Sequence, residues 1–421
     1  MSGGPDFLQL LARAARDVGV HSGGRAGEGV PRRRGASGTA PEGSVLLTES
    51  EGVLRWGEAG GFGALGGRRA AGSSVGRIVG EFRFEALEPA RIGAYLEHLD
   101  RVLTPVRGLR RLRGDALEAV DAPARRGRVL LIVHGTFSTG DQLLREIRAA
   151  ANGRRFLERA AEHYDEVLAF DHPTLSVGPV LNALDLAGAF AGSSARVDVV
   201  AHSRGGLVAR WWLEALRPGG AAGCRAVLVG SPLAGTSLAA PPRLRAALDL
   251  VTNIGRALSL AGSTAALAFP FLSFAAGLVR ILTSISRLGA RTPLLDAGVA
   301  LVPGLLGQAR VGNNPELVRL RRCRRQGLAY LAVRSRFESD AEGWRFWRRF
   351  CSATGLAELA SSPVFEGPSD LVVDTASMAD LADDREIAEV HDFGPRDGVH
   401  HTGYFRRPET LDFIAAGLGL P

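Results

Sequence analysis

The chain has 421 residues, 46% of them hydrophobic, and its basic residues outnumber its acidic ones by seven. This composition is sufficient to bury a large core, so most of the chain is expected to be globular. Every basic residue is an arginine. The absence of lysine excludes Schiff-base chemistry and a phosphate-loop lysine, and the scattered arginines argue against a nucleic-acid partner.

The three cysteines, Cys224, Cys323 and Cys351, are far apart and have no Cys-x-x-Cys spacing. A disulfide framework or a zinc site is therefore not expected. The N-terminal apolar run is interrupted by Arg13 and Arg16, which makes it too short for a secretory signal. These features predict a cytoplasmic protein without a metal.

The N-terminal region, residues 1–125, is predicted to be a partly disordered extension without identifiable chemistry. Residues 21–44 and 57–76 are rich in glycine, alanine, serine and arginine without periodicity, which is typical of linkers. Between and after them, two strands and a helix are predicted at Ser44–Thr48, Arg77–Phe84 and Pro89–Leu103.

Residues 126–421 show apolar strands that alternate with helical patterns. The six predicted strands are RVLLIV (128–133), EVLAF (166–170), RVDVVA (196–201), RAVLVG (225–230), AYLAV (329–333) and EIAEV (386–390). Continuous apolar runs of this kind are expected in a parallel sheet that is buried on both faces. The predicted fold class is α/β, with a doubly wound, mostly parallel sheet.

The stretch VVAHSRGGLVARWW, residues 199–212, places Ser203 between a strand and a helix. A sharp strand-to-helix turn needs small residues on both sides, and Ala201 and Gly205 supply them. The pattern is a variant of the G-x-S-x-G nucleophile elbow, which exposes a serine hydroxyl at a helix N-terminus. The alternative is that small residues around a serine mark an ordinary tight turn.

The surroundings of Ser203 in the chain favour the nucleophile. The strand 128–133 is followed by His134-Gly135-Thr136-Phe137-Ser138, where a loop could donate a backbone N–H to an oxyanion. An acid and then a histidine must follow the serine. The candidate acids are Glu338, Asp340, Asp370 and Asp374, and the candidate histidines are His391, His400 and His401.

Four motifs resemble α/β-hydrolases of the serine lipase and esterase type, and within these a bacterial group. They are HGTF (134–137), FDHPTLS (170–176), HSRGG (202–206) and HHTGYF (400–405), and the likeness extends from Arg128 to the C-terminus. Ala201 departs from the usual elbow glycine. The resemblance implies an α/β-hydrolase fold and hydrolysis of a carboxylic ester through an acyl-enzyme.

The resemblance also implies individual roles. Ser203 would be the nucleophile, His401 the general base and Asp370 the acid that orients it, with His400 and Asp374 as the alternatives. The implied oxyanion donors are the N–H groups of Thr136, Arg204 and Phe137. No cofactor and no metal are implied. The competing functions are a non-catalytic binding or scaffold module and an acyltransferase or thioesterase.

A long insertion, about residues 236–315, separates the strands at 225–230 and 329–333. It contains an uncharged run, Ala257–Val279. A membrane span, a buried helical pair or an apolar cap could account for the run, and the interruption at Pro270 argues against the span. We favour a cap, which predicts an apolar ester substrate. A cap that opens at interfaces would also bring about peripheral contact with membranes or lipid.

Overall fold

The computed structural model describes the chain over thirteen stretches, and the two predicted linkers fall mostly outside them. The described residues are 7–23, 42–58, 76–217, 223–239, 244–260, 265–287, 302–323, 327–339, 344, 364–365, 367–382, 385–395 and 398–421.

The described residues form strands and helices that are numbered in chain order. The strands are β1 (Val20–Gly23), β2 (Glu42–Ser50), β3 (Val53–Glu58), β4 (Arg77–Glu85), β5 (Gly108–Arg113), β6 (Ala116–Ala119), β7 (Arg128–Val133), β8 (Glu166–Asp171), β9 (Arg196–His202), β10 (Arg225–Val229), β11 (Ala329–Arg334) and β12 (Glu389–Asp392). The helices are α1 (Phe7–Asp17), α2 (Ile92–Leu103), α3 (Gly140–Ala149), α4 (Gly153–His163), α5 (Pro179–Ala189), α6 (Gly205–Trp211), α7 (Leu244–Leu260), α8 (Ala265–Arg287), α9 (Pro303–Leu306), α10 (Pro315–Arg322) and α11 (Pro408–Leu418).

The chain forms two compact units. Unit 1 comprises residues 1–103, 241–301 and 340–364, and unit 2 comprises residues 104–240, 302–339 and 365–421. Unit 1 contains an antiparallel sheet of four strands in the order β1-β4-β2-β3, together with α1, α2, α7 and α8. The centre of the insertion therefore belongs to the same unit as the N-terminal strands.

Helix α7 packs against the edge strand β3 and satisfies its backbone. The Asn253 side chain accepts from the N–H of Leu54 at 3.0 Å and donates to its carbonyl at 2.9 Å. Two residues further along β3, the N–H of Trp56 donates to Asp249 at 3.0 Å. Because an edge strand leaves its outer N–H and C=O groups unpaired, these side chains replace a missing strand.

Part of the apolar surface of the insertion is buried within unit 1. Helix α8 packs against α1 and α7, and the side chains of Phe271 and Phe274 on α8 are buried. A buried helix requires an apolar surface on several sides. Among the described helices, none is both long enough and apolar enough to cross a membrane.

Unit 2 contains a sheet of eight strands in the order β12-β11-β10-β9-β7-β8-β5-β6. The strands from β12 to β8 run parallel, whereas β5 pairs antiparallel with both β8 and β6. A mostly parallel central sheet with flanking helices is what the sequence predicts, so the predicted α/β fold class is confirmed. All six predicted strands form, although the last begins three residues late, at Glu389.

Strands β5 and β6 lie within the stretch that the sequence analysis placed in the N-terminal extension, residues 1–125. In the structure they pair with β8 and extend the large sheet, and unit 2 begins at residue 104. The physical reason is that β5, GLRRLR, is a penultimate strand with arginines that reach carboxylates, such as Arg110 to Asp141 at 2.5 Å. Its sequence therefore lacks the apolar run of a central strand.

The large sheet of unit 2 is covered on both faces. Along β7, Leu130 and Ile132 point into a core shared with α3, α4 and α11, while Val129, Leu131 and Val133 point into a core shared with α5 and α6. All five side chains are buried. Burial on both faces explains why β7 is a continuous apolar run rather than an alternating one.

Candidate active site

Ser203 lies on a sharp turn at the carboxyl edge of the sheet in unit 2. Strand β9 ends at His202 and helix α6 begins at Gly205. Ser203 has a φ of 53°, in the left-handed region that a non-glycine residue seldom adopts. Its N–H donates to the carbonyl of Val229 on β10 at 2.9 Å, which holds the turn in place. Backbone strain of this kind is typical of functional positions.

Gly205 is required by the close approach of the turn to β7. A Cβ at this position would lie 2.5 Å from the carbonyl oxygen of Val133 and 2.6 Å from that of His134. No larger residue fits without moving the backbone. The small residue on the other side of the turn, Ala201, is fully buried. The pattern small-x-Ser-x-Gly thus reflects the packing of the turn.

The loop after β7 lies directly against Ser203. A Cβ on Gly135 would come within 2.6 Å of the Ser203 Cβ and 3.2 Å of its Oγ. Next in the loop, the Thr136 hydroxyl lies 3.0 Å from the Gln308 side-chain nitrogen, and Phe137 has a φ of 60°. The structure therefore places the predicted oxyanion loop beside the serine, with Gln308 as a support that the sequence did not reveal.

His401 connects Ser203 to Asp370. Its Nε2 lies 2.8 Å from Ser203 Oγ and its Nδ1 lies 2.7 Å from Asp370 Oδ2. An ionised carboxylate only accepts hydrogen bonds, so the ring proton is on Nδ1 and Nε2 carries a lone pair. In this tautomer the serine hydroxyl donates to Nε2. All three side chains are buried, with exposed fractions between 0% and 6%.

The Asp370 carboxylate accepts four hydrogen bonds. Oδ1 accepts from the N–H groups of Val372 at 3.1 Å and Val373 at 2.8 Å, and Oδ2 accepts from His401 and from the Tyr404 hydroxyl at 2.9 Å. The His401 N–H donates to the Asp370 carbonyl at 2.9 Å. A fully buried carboxylate needs such a set of donors, and this one is fixed in position by them.

Asp374, the alternative acid, is engaged elsewhere. Its Oδ2 accepts from the Ser237 N–H at 2.8 Å, and its Oδ1 accepts from the Ser237 hydroxyl and from Arg310, both at 2.9 Å. These contacts hold the loop after β10. The structure does not bring Asp374 into contact with either histidine of the pair 400–401.

His400, the alternative base, points away from the serine. Its Nδ1 lies 3.0 Å from the Thr402 hydroxyl, and its ring packs edge-on against Phe337. Burial is the main cause that lowers the pKa of His400 to about 4. Its ring is therefore neutral over the range in which a general base of this kind works.

Other histidines surround the site as packing and hydrogen-bonding groups. His202 contacts the carbonyl of His401 through Nε2 at 3.0 Å, and burial lowers its pKa to about 3. His134 accepts from the N–H of His172 at 3.1 Å, and the two rings stack with centroids 4.1 Å apart. Burial also holds the pKa of His172 well below its usual value.

Two side chains near the nucleophile had no role in the sequence analysis beyond their place in a motif. The Arg204 guanidinium is fully buried and donates to the Val177 carbonyl and to Asn182, the latter at 2.6 Å. It therefore ties the elbow to the start of α5. Tyr404 contacts Asp370, as described above. Within the described residues, no cluster of three or more histidine, cysteine or acidic side chains is placed to bind a metal ion.

Comparison with known proteins gives one family and several distant structures. The chain matches the family described as "Domain of unknown function (DUF7379)" over residues 108–419. No curated protein sequence matches it. Lipase 1 from Pelosinus fermentans is similar at 12% identity, with a TM-score of 0.42, over 69% of this chain and 97% of that one. The mature lipase BlEst2 from Bacillus licheniformis is similar at 14% identity, with a TM-score of 0.33, over 72% and 96%.

Proposed function

Because the chain belongs to the family of the domain of unknown function DUF7379, we propose its activity from its own site: a serine hydrolase that cleaves a carboxylic ester through an acyl-enzyme. One observation carries the proposal. Ser203, His401 and Asp370 form a continuous chain of hydrogen bonds, 2.8 Å and 2.7 Å long, at a strained strand-to-helix turn. A serine needs such a base, and the base needs such an acid, to react near neutral pH.

In the proposed first step, Ser203 Oγ attacks the acyl carbon and its proton moves to His401 Nε2. The carbonyl oxygen becomes negatively charged, and the N–H groups of Thr136, Arg204 and Phe137 are the proposed donors to it. The intermediate collapses, the bond to the alcohol oxygen breaks, and His401 Nε2 gives the proton to the leaving alcohol. Asp370 stays ionised and stabilises the imidazolium.

In the proposed second step, water replaces the alcohol. His401 Nε2 takes a proton from the water as its oxygen attacks the acyl carbon, and the acid product leaves when the bond to Ser203 Oγ breaks. His401 Nε2 then gives the proton that it took from the water to Ser203 Oγ. No metal or cofactor takes part in this sequence.

The proposed substrate is an ester with an apolar acyl group. This finer part of the proposal rests on the uncharged composition of residues 257–279 alone. Contact of the insertion with lipid and a cytoplasmic location remain predictions.

The proposal is tested with a fluorophosphonate probe and p-nitrophenyl esters on the full chain. The probe should label the peptide that contains Ser203, and Ser203→Ala should abolish labelling and lower turnover by about 10⁶-fold. Ser231→Ala is the matched control, because Ser231 is also buried and its hydroxyl takes no part in the hydrogen-bond chain. It should behave as wild type.

Labelling at another residue, or wild-type turnover in Ser203→Ala, would overturn the proposed hydrolase. A series of acyl chain lengths on the wild-type protein tests the substrate separately. Preference for acetate over medium and long chains would contradict the proposed apolar acyl group but not the proposed hydrolase activity.

A further inference from the structure

We infer that Tyr404 is a positioning residue of the proposed catalytic triad. Its hydroxyl holds Oδ2 of Asp370, the same oxygen that accepts from His401, and withdraws negative charge from it. The inference rests on the proposed function, since it concerns how the acid acts on the base. It gives a role to the tyrosine of the HHTGYF motif, which the triad alone leaves unexplained.

The contact between Tyr404 and Asp370 is fully enclosed. Both side chains have an exposed fraction of 0%, and the phenol oxygen lies 2.9 Å from Oδ2. Burial and the neighbouring carboxylate hold the pKa of Tyr404 well above its usual value. The phenol therefore keeps its proton, and a carboxylate is the stronger acceptor for it.

Ser335 on the segment after β11 provides a second acceptor for the phenol proton. The Ser335 hydroxyl donates to the Val399 carbonyl at 2.8 Å, so its lone pairs face Tyr404, 2.9 Å away. One phenol proton is thus shared between a charged acceptor, Asp370, and two neutral ones, Ser335 and the more distant Met378 sulfur at 3.6 Å. The charge that Asp370 presents to His401 depends on this division.

The end of β10 is shaped around the same cluster. Gly230 has a φ of 57°, and a Cβ there would lie 2.8 Å from the Tyr404 ring, 3.3 Å from Asp370 Oδ2 and 3.4 Å from His401 Nδ1. Only glycine allows these three groups to converge. The position of the Tyr404 ring is therefore set by the sheet and by the acid together.

The electrostatic consequence has a definite sign. In Tyr404→Phe, Oδ2 loses one donor and carries more negative charge, which stabilises the imidazolium form of His401. The neutral form of His401 is the proposed base, so the acidic limb of the kcat/KM profile should move to higher pH. We expect a shift of roughly half to one pH unit. Because the carboxylate also loses a contact that holds it in position, kcat should fall by about 3- to 30-fold with little change in KM.

Other titratable groups near His401 determine the design of the experiment. They are His202 on β9, Glu146 on α3, and His400 and Arg406 on its own segment. The pKa values of His202 and His400, lowered by burial to about 3 and about 4, lie below the range of the profile. Burial raises the pKa of Glu146 to about 7, within the range, so every profile is measured in a Glu146→Gln background.

The matched control is Tyr164→Phe. The Tyr164 hydroxyl donates to Asp198 Oδ2, also at 2.9 Å and also buried, but outside the triad. Both variants lose a buried tyrosine–aspartate hydrogen bond, so both should lower the melting temperature. Only Tyr404→Phe should move the acidic limb, and an unmoved limb in Tyr404→Phe would overturn the inference.

Ser335→Ala keeps the inference testable if Tyr404→Phe does not fold. It removes the nearer of the two neutral acceptors and leaves only the weak Met378 sulfur, so more of the phenol proton goes to Asp370 and the limb should move to lower pH. A limb that is unmoved or moves to higher pH would contradict the role of Tyr404. If the wild-type protein shows no turnover that depends on Ser203, the proposed hydrolase activity itself is wrong. This outcome is distinct from failure of the inference about Tyr404, in which turnover is present but the limb does not move.

Discussion

Asn253 on α7 pairs with both backbone groups of Leu54 on β3, across a separation of 199 residues. This pairing joins the insertion to the N-terminal strands within unit 1. Replacement by alanine would leave a buried N–H and a buried C=O without partners, and each costs about 1–3 kcal/mol.

We therefore expect Asn253→Ala to lower the free energy of unfolding of unit 1 by about 2–6 kcal/mol. Amide hydrogen exchange of the paired strands β2 and β4, measured at increasing urea concentration, reports on this unit, because these strands form the centre of its sheet. Arg256→Ala is the control on the same helix, since its contact with Glu49 is partly exposed. Equal losses in the two variants would contradict the importance of the pairing.

Substitution of Asp370 should lower activity, whereas substitution of Asp374 should lower stability. Asp370→Asn leaves a side chain that can no longer hold the His401 tautomer, and kcat should fall by about 10⁴-fold with the fold retained. Asp374→Asn weakens contacts to Ser237 and Arg310 and should lower the melting temperature, while most turnover remains. The reverse pattern in paired measurements of kcat and melting temperature would show that Asp374 is the acid.

The adjacent histidines should differ in the same way. His401→Ala removes the only group within hydrogen-bond distance of Ser203 Oγ among the described contacts, so turnover and probe labelling should fall nearly as far as in Ser203→Ala, about 10⁶-fold. His400→Ala loses its contacts with Thr402 and Phe337 and should lower turnover by less than about tenfold. A larger loss of turnover in His400→Ala than in His401→Ala would show that His400, and not His401, is the general base.

Glu146 should make the stability of unit 2 depend on pH. Burial raises the pKa of its carboxyl from 4.5 to about 7, against the opposing effects of the hydrogen bond from Gln142 and of the charges of Arg406 and Arg145. The folded state therefore binds the proton more tightly than the unfolded state. The resulting stabilisation is complete below pH 4.5 and is lost as the pH rises through about 7, on the order of 3 kcal/mol in all.

The variant Glu146→Gln stays neutral and should lack this loss. Free energies of unfolding measured at pH 5 and pH 8 test the difference: the wild-type protein should lose more stability over this interval than the variant does. Parallel curves for the two proteins would show that Glu146 is ionised in the folded state throughout.

Patterns within short stretches of the sequence were sufficient for much of the fold. The six parallel strands were recognisable because a strand buried on both faces is continuously apolar, as β7 is. The turn at Ser203 was recognisable because close packing on β7 restricts position 205 to glycine. Strand β5 was missed since its arginines are paired with carboxylates that lie far away in the chain.

The residues that hold the candidate site in position could not be predicted, because they too make contacts that are distant in the chain. Tyr404 and Asp370 are 34 residues apart, and Gln308 and Thr136 are 172 residues apart. Neither pair has a local periodicity or spacing that would bring it to notice. Such contacts depend on the three-dimensional course of the chain, whereas Ser203 was identified by its immediate neighbours.

The division of unit 1 among separate stretches of the chain has a consequence for its synthesis. Strand β3 leaves the ribosome before α7 has been made, and at about 5–20 residues per second the 199 residues between Leu54 and Asn253 take on the order of 10–40 s. During that interval the outer edge of β3 is open to pairing with other nascent chains. We therefore expect fragments that end before residue 244, which lack α7, to aggregate through the outer edge of β3.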